Sequence, residues 1–150
     1  MYNSIISGLG MYVPENVVTN DDLSKVMKTS DHWILERTGI SERRHIKKGD
    51  GNSTSIMGIK AAKKALDRSK ISPKEIELIL FATLSPDYYF PGPGVTAQEK
   101  LEIEDCPAMD IRNQCSGFVY ALATADQFVK SGMYKNVLVI GSENHSGGLD

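Results

Sequence analysis

From residue 78 onward, continuous apolar runs alternate with helical patterns. Residues 78–83 (LILFAT) and 136–142 (NVLVIGS) contain almost no polar side chains, which is typical of strands covered on both faces. A shorter run, PAMDIR, begins at Pro107, and helical segments separate the three, the first of them expected at residues 95–101. Strand–helix alternation of this kind predicts parallel βαβ crossovers and a layered α/β domain.

The chain before residue 78 predicts a first strand and several helices. Residues 3–9 are apolar and β-branched, which favours a strand. Asn20 is the expected N-cap of a short helix, and a second helix opens at Ser30 and Asp31 and ends at Gly39. Residues 52–69 repeat apolar positions at helical spacing, and residues 72–75 form a capping box with proline at the first helical position.

Cys115 lies between the PAMDIR strand and the segment GFVYALATADQFVKSG. This segment is apolar on almost every side as far as Ala125, so we expect a buried helix that ends after Lys130, at Gly132. A helix N-terminus favours thiolate over thiol, and its free N–H groups can bind an oxyanion. Cys115 is therefore a candidate nucleophile. The alternative is a cysteine that packs as a small hydrophobic side chain.

Trp33 and Arg37 are four residues apart and therefore project from one face of the second helix. An indole and a guanidinium side by side can sandwich a planar base, and the cation can also contact phosphate. The alternative is a partly buried surface tryptophan with an arginine packed over it.

Composition excludes several classes of protein. The 150 residues suffice for one domain, and a net charge of −2 gives no reason to expect nucleic acid or a membrane surface as a partner. No apolar run approaches a membrane span, and the N-terminus lacks the features of a signal peptide. Cys106 and Cys115 have neither zinc-site nor disulfide spacing, so we expect reduced thiols, no metal and a cytoplasmic protein, with Cys106 an inert structural thiol.

Three segments resemble motifs of the β-ketoacyl-acyl-carrier-protein synthase III family, within the thiolase-like superfamily. QCSGFVYAL, with ADQFVKSG and NVLVIGSE, resembles the nucleophile region. TSDHWILERTGISERRHI, residues 29–46, and FATLSPDYYFPGPG resemble two further hallmarks, in the family's order and at compatible spacing. The resemblance implies a thiolase-like layered α-β-α domain with a mostly parallel sheet. Because family members are about twice this long and built from two similar halves, it also implies an incomplete N-terminal half whose C-terminal half is absent from this chain.

The resemblance also implies an activity and its site. Cys115 takes an acyl group from acyl-CoA and condenses it with malonyl-acyl-carrier protein, releasing CO2 and CoA, to start fatty-acid synthesis. Thr29, Trp33 and Arg37 match the positions that hold the nucleotide end of CoA, which is a substrate, and no tightly bound cofactor is implied. Phe90 aligns with a residue that shapes the acyl pocket of the other subunit, which implies a homodimer. The catalytic histidine and asparagine come from the second half, and His145 does not match that histidine.

Several alternatives stay open. Arg112, Asn113 and Gln114 stand where many family members carry small residues, and larger polar groups beside the nucleophile can narrow or repolarise the acyl site. A related synthase or acyltransferase of polyketide- or quinolone-like metabolism is one alternative, and a non-catalytic assembly partner is another. The cationic run at residues 43–48 predicts a solvated strand and turn, or a docking patch for an acidic carrier protein. The aromatic cluster at residues 88–90 could also fold back onto its own core.

Overall fold

A computed structural model describes residues 2–146 of the chain. The chain divides into two compact units: residues 13–52 form a smaller unit, and residues 53–145 with the N-terminal segment form a larger one. No helix within residues 2–146 is both long and apolar enough to cross a membrane.

The smaller unit contains a two-stranded antiparallel sheet, and two short helices lie between its strands in the chain. Its elements in chain order are β1 (Val17–Thr19), α1 (Asn20–Ser24), α2 (Asp31–Thr38) and β2 (Glu42–Arg44). As predicted, Ser30 caps α2 by accepting the Trp33 N–H, and Gly39 ends the helix in the left-handed conformation with φ 69°. The solvated strand predicted within the cationic run is β2.

The predicted N-cap of α1 is wrong by one residue. Thr19 caps the helix and forms a reciprocal capping box with Asp22. Asn20 is instead only 1% exposed: its side-chain amide donates to Asp31 at 2.8 Å, and its oxygen accepts from Arg43 at 2.6 Å. The Asn20 side chain thus links α1 to α2 and β2 by hydrogen bonds in the interior of the unit, so it is not available as a cap.

The larger unit has three layers, with helices on both faces of a parallel sheet, as predicted. Its elements are α3 (Thr54–Ser69), β3 (Leu78–Ala82), α4 (Pro93–Lys100), β4 (Ala108–Ile111), α5 (Gly117–Ser131) and β5 (Val137–Gly141). The strand order is β4-β3-β5, and both pairings are parallel. Every residue of β3 is buried: Ile79 and Phe81 pack with α3 and α4, whereas Leu78 and Leu80 pack with α5. The predicted capping box at residues 72–75 forms a single 3-10 turn.

The strand predicted at residues 3–9 is not formed. The carbonyl of Leu9 accepts a hydrogen bond from Arg68 at 2.8 Å, and that of Met11 accepts from Lys64 at 3.0 Å. Both donors are side chains of α3, and they bind carbonyl groups that a neighbouring strand would otherwise bind through its N–H groups. The apolar side chains of the segment remain open to solvent, with Ile5 85% exposed.

The prediction that α5 is buried on almost every side is also wrong for this chain. Only Gly117, Ala121 and Ala125 are buried, at the four-residue spacing of one helix face. The outward face is apolar but 37–65% exposed, and consists of Phe118, Val119, Tyr120 and Leu122. A helix packs on a sheet through only one of its own faces. Among the described residues, no further element covers the outward face of α5.

Candidate active site

Cys115 lies where the sequence predicted, between a strand and a helix at the carboxyl edge of the sheet. It is the middle residue of a 3-10 turn (Gln114–Ser116) that links β4 to α5. Its side chain is exposed to solvent. Within the described residues no side chain caps α5, and the Gly117 N–H donates to the Gln114 carbonyl of the preceding turn.

A cleft of about 480 Å³ opens beside Cys115 within the larger unit. Its walls include the carboxyl ends of β3 and β5, the start of α5 at Gly117 and Phe118, and the glycine-containing segment at residues 8–10. Ligands of open α/β sheets bind outside the carboxyl ends of the strands, and this volume is in the range of small-molecule pockets. The thiol therefore borders a space in which a small acyl group can be held.

Cys106, in contrast, has no access to a ligand. It is 5% exposed, and its thiol donates to the Pro107 carbonyl at 3.3 Å. Burial raises its pKa above the usual value, which keeps the thiol protonated and poorly nucleophilic. This agrees with the predicted inert structural role.

Glu143 and His145 follow β5. The Glu143 carboxylate accepts the Leu84 N–H at 2.6 Å and the Ser85 hydroxyl at 2.6 Å, so it fixes the start of the loop after β3. His145 Nε2 lies 3.5 Å from the same carboxylate. Sequence reasoning missed Glu143, because its partners are almost sixty residues away and no local pattern marks the pairing.

The loop at residues 84–92 presents its aromatic side chains to solvent. Tyr88, Tyr89 and Phe90 are 71%, 77% and 93% exposed, so the alternative in which they fold back onto the core is wrong. The loop is nevertheless anchored: the Asp87 carboxylate accepts the N–H groups of Thr54 and Ser55 at 2.9 and 3.0 Å. These are the first amides of α3, where a helix favours a negative charge.

The three residues assigned to CoA lie together in the smaller unit, on or just before α2. The guanidinium carbon of Arg37 is 4.6 Å from the Trp33 ring centroid, so the two groups are stacked rather than side by side. Trp33 is 51% exposed and open to a further stacking partner. The Thr29 hydroxyl is shielded from solvent and has no hydrogen-bond partner among the described residues. Buried hydroxyls are normally paired, so this group is suited to a ligand.

The described residues contain no group of three or more His, Cys, Asp or Glu side chains placed to hold a metal ion.

Comparison with known proteins identifies relatives of this chain. Residues 109–150 match the family model described as 3-oxoacyl-[acyl-carrier-protein (ACP)] synthase III. A β-ketoacyl-[acyl-carrier-protein] synthase III of Bacillus cereus is 50% identical over 141 residues, which cover 94% of this chain and 45% of the relative. A synthase III of Ehrlichia canis is 50% identical over all of this chain and 46% of its own length.

Solved structures show the same fold. The crystal structure of the synthase III of Aquifex aeolicus matches with a TM-score of 0.93 and 48% identity, over 99% of this chain and 47% of that one. The priming β-ketosynthase of the R1128 polyketide pathway matches with a TM-score of 0.89 and 29% identity, over 94% and 42%.

Fold and site together define a thiolase-like α/β protein with an exposed cysteine at the carboxyl edge of its sheet. Within that class, the chain belongs to the 3-oxoacyl-[acyl-carrier-protein] synthase III family. It spans about half the length of the relatives it matches and corresponds to their N-terminal portion.

Proposed function

We propose that Cys115 is the acyl-accepting nucleophile of a β-ketoacyl-acyl-carrier-protein synthase that begins fatty-acid synthesis. The observation that carries the proposal is the exposed thiol in the 3-10 turn that leads into α5, beside a cleft of about 480 Å³. The thiolate attacks the thioester carbonyl of acyl-CoA, the carbon–sulfur bond to CoA breaks, and CoA leaves as a thiolate that takes up a proton. The backbone N–H of Cys115 is a donor for the oxyanion formed on the way.

The nucleotide end of CoA is assigned to Thr29, Trp33 and Arg37. Support comes from the open indole, the guanidinium stacked on it and the unpaired Thr29 hydroxyl. An adenine ring stacks on the indole, and the guanidinium supplies charge for a phosphate. CoA enters and leaves as a substrate, and the proposal includes no tightly bound cofactor.

In the second half-reaction malonyl-acyl-carrier protein is the acceptor. Loss of CO2 leaves an enolate, which attacks the carbonyl of the acyl-cysteine, and the Cys115 thiolate departs as the β-ketoacyl product forms. The family's histidine and asparagine for this step come from a second half. We therefore assign residues 1–150 to a nucleophile-bearing N-terminal half that acts only with a C-terminal half, as a cytoplasmic homodimer in which Phe90 reaches the pocket of the other subunit. The complete enzyme consists of this chain together with that half.

The test is condensation by the complete enzyme with acetyl-CoA and malonyl-acyl-carrier protein. The proposal expects a β-ketoacyl product, lost in Cys115→Ala, and no steady turnover by the isolated chain. Turnover by the isolated chain would contradict the two-half assignment. An unreactive Cys115 in the complete enzyme would favour a non-catalytic assembly partner.

A synthase or acyltransferase of specialised metabolism is a second candidate. Two observations favour it: the 29% identity to a priming β-ketosynthase of a polyketide pathway, and the large polar residues at positions 112–114. Acceptor dependence separates the two functions. A strict requirement for malonyl-acyl-carrier protein supports the first, and acyl transfer to another acceptor supports the second.

A further inference from the structure

Arg112 joins the segment that carries Cys115 to the aromatic loop after β3. Its guanidinium carbon lies 4.6 Å from the centroid of the Tyr89 ring, a cation–π distance. Arg112 is three residues before Cys115, and Tyr89 is the residue before Phe90. One short segment at the end of β4 thus supports the nucleophile and also touches the tip of the loop.

A second side chain of the same segment holds the far end of this loop. Asp110 accepts the Gly94 N–H at 2.8 Å, at the start of α4. A β-carbon on Gly92 would lie 1.6 Å from an Asp110 carboxylate oxygen, so only glycine admits this approach. Asp110 and Arg112 are two residues apart, and alternate residues of an extended chain point to the same side. The pair therefore fastens both the end of the loop and its tip.

The near end of the loop is fixed independently by Asp87 and Glu143, through the bonds to α3 and to residues 84–85 described above. With both ends anchored, the conformational freedom that remains belongs to the exposed aromatic tip. An exposed ring on a loose loop loses entropy when it inserts into another surface, and a contact that orders the ring beforehand reduces that cost.

We propose that Arg112 is a positioning residue that, by stacking on Tyr89, orders the tip and so sets how Phe90 limits the acyl primers accepted by the complete enzyme. The inference rests on the proposed function and deepens it. It also gives the departure at position 112 a role: a small residue there has no side chain that reaches Tyr89.

Lysine at position 112 separates positioning from a charge effect on the nearby thiol. Arg112→Lys keeps the positive charge but lacks the planar guanidinium that stacks on a ring. Tyr89→Phe keeps the ring, whereas Tyr89→Leu removes it. If Arg112 acts through its charge on Cys115, Arg112→Lys and both Tyr89 variants should keep the primer selectivity of the wild type. If Arg112 positions the tip, Arg112→Lys and Tyr89→Leu should both change that selectivity.

The first test measures the ratio of kcat/KM for acetyl-CoA to that for hexanoyl-CoA in the complete enzyme. We expect Arg112→Ala, Arg112→Lys and Tyr89→Leu to change the ratio by about two- to fivefold, the size of an exposed cation–π contact. Tyr89→Phe should keep it, and Arg112→Ala with Tyr89→Leu should change it no further than either alone. An unchanged ratio in Arg112→Ala, or effects that multiply in the double variant, would overturn the inference.

A second test does not depend on acyl chemistry. A nitroxide spin label is attached at Tyr88→Cys in a Cys115→Ser background, where the other cysteine, Cys106, is buried. The inference expects a more mobile spectrum when Arg112→Ala is added, and no such change with Tyr89→Phe. An unaltered spectrum in Arg112→Ala would overturn it. If the wild-type enzyme takes no acyl group, the proposed function fails, while this measurement still decides whether Arg112 orders the tip.

Discussion

A β-carbon placed on Gly58 would lie 2.8 Å from the ring of Phe81, because α3 rests directly on the sheet at this point. Phe81 is fully buried, so the ring has no free space into which to move. We predict that Gly58→Val lowers the free energy of unfolding by about 1–3 kcal/mol through overpacking.

Urea denaturation followed by circular dichroism measures this change. Lys63→Val is the matched control, because it places the same side chain at an exposed position of the same helix. A Gly58→Val variant no less stable than Lys63→Val would mean that α3 and β3 are not in close contact.

Replacement of Trp33 should weaken CoA binding. Stacking of a base on an aromatic ring contributes about 1–3 kcal/mol, so Trp33→Leu should raise the Kd for CoA by about 5- to 150-fold in isothermal titration calorimetry. Arg37→Met should also raise it, through loss of a cation near phosphate. His32→Ala, an exposed neighbour in the same helix, is the control and should bind as the wild type does. Equal affinities of Trp33→Leu and His32→Ala for CoA would contradict the assignment of the nucleotide to this surface.

The capping box of α1 should make this helix sensitive to acid. The Lys25 ammonium, at 2.7 Å, and then the Thr19 hydroxyl and N–H hold the pKa of Asp22 well below its usual range. Because the folded-state pKa lies below the unfolded value of about 3.9, the carboxylate stabilises the folded state above that pH, and this contribution is lost as the pH falls through the folded-state pKa.

A 13C titration of the Asp22 carboxyl group tests this. We expect a midpoint below about 3.9 in the wild type and a higher midpoint in Lys25→Met. Identical midpoints in the two proteins would show that Lys25 does not interact with Asp22 in solution.

The exposed apolar face of α5 should make the isolated chain self-associate. Val119 and Tyr120 are 65% and 55% exposed, and large exposed apolar patches mark surfaces that are covered in an assembly. Sedimentation equilibrium should give an average mass above that of the monomer, and Val119→Lys with Tyr120→Lys should lower it. Gln127→Lys, at another exposed position of α5, adds charge outside the patch and should have little effect. A monodisperse wild-type monomer would contradict the prediction.

Local patterns were sufficient for much of the fold. The continuous apolar run at residues 78–83 predicted a strand buried on both faces, and β3 is that strand. Ser30 and Gly39 predicted both ends of α2. These features depend on neighbours within a few residues, so sequence spacing carries them.

Features that depend on distant partners could not be predicted. The apolar pattern of α5 was correct, but burial also requires a layer over its outward face, which the described residues do not provide. Residues 3–9 have strand composition, but Arg68 binds the carbonyl of Leu9 at the end of this segment and Lys64 binds that of Met11 just beyond it. At the site, the position of Cys115 followed from the strand–helix boundary. The Arg112–Tyr89 contact joins residues more than twenty positions apart, and no periodicity indicates it.

The central claim is that Cys115 accepts an acyl group, and intact mass spectrometry after incubation with acetyl-CoA tests it most directly. The complete enzyme should gain one acetyl group on this chain, and Cys115→Ala should gain none. Cys106 remains in the variant but is buried, so the loss of acetylation reports on Cys115. An acetyl group that persists in Cys115→Ala, or no acetyl group on the wild-type chain with acetyl-CoA or longer acyl-CoA primers, would contradict the assignment.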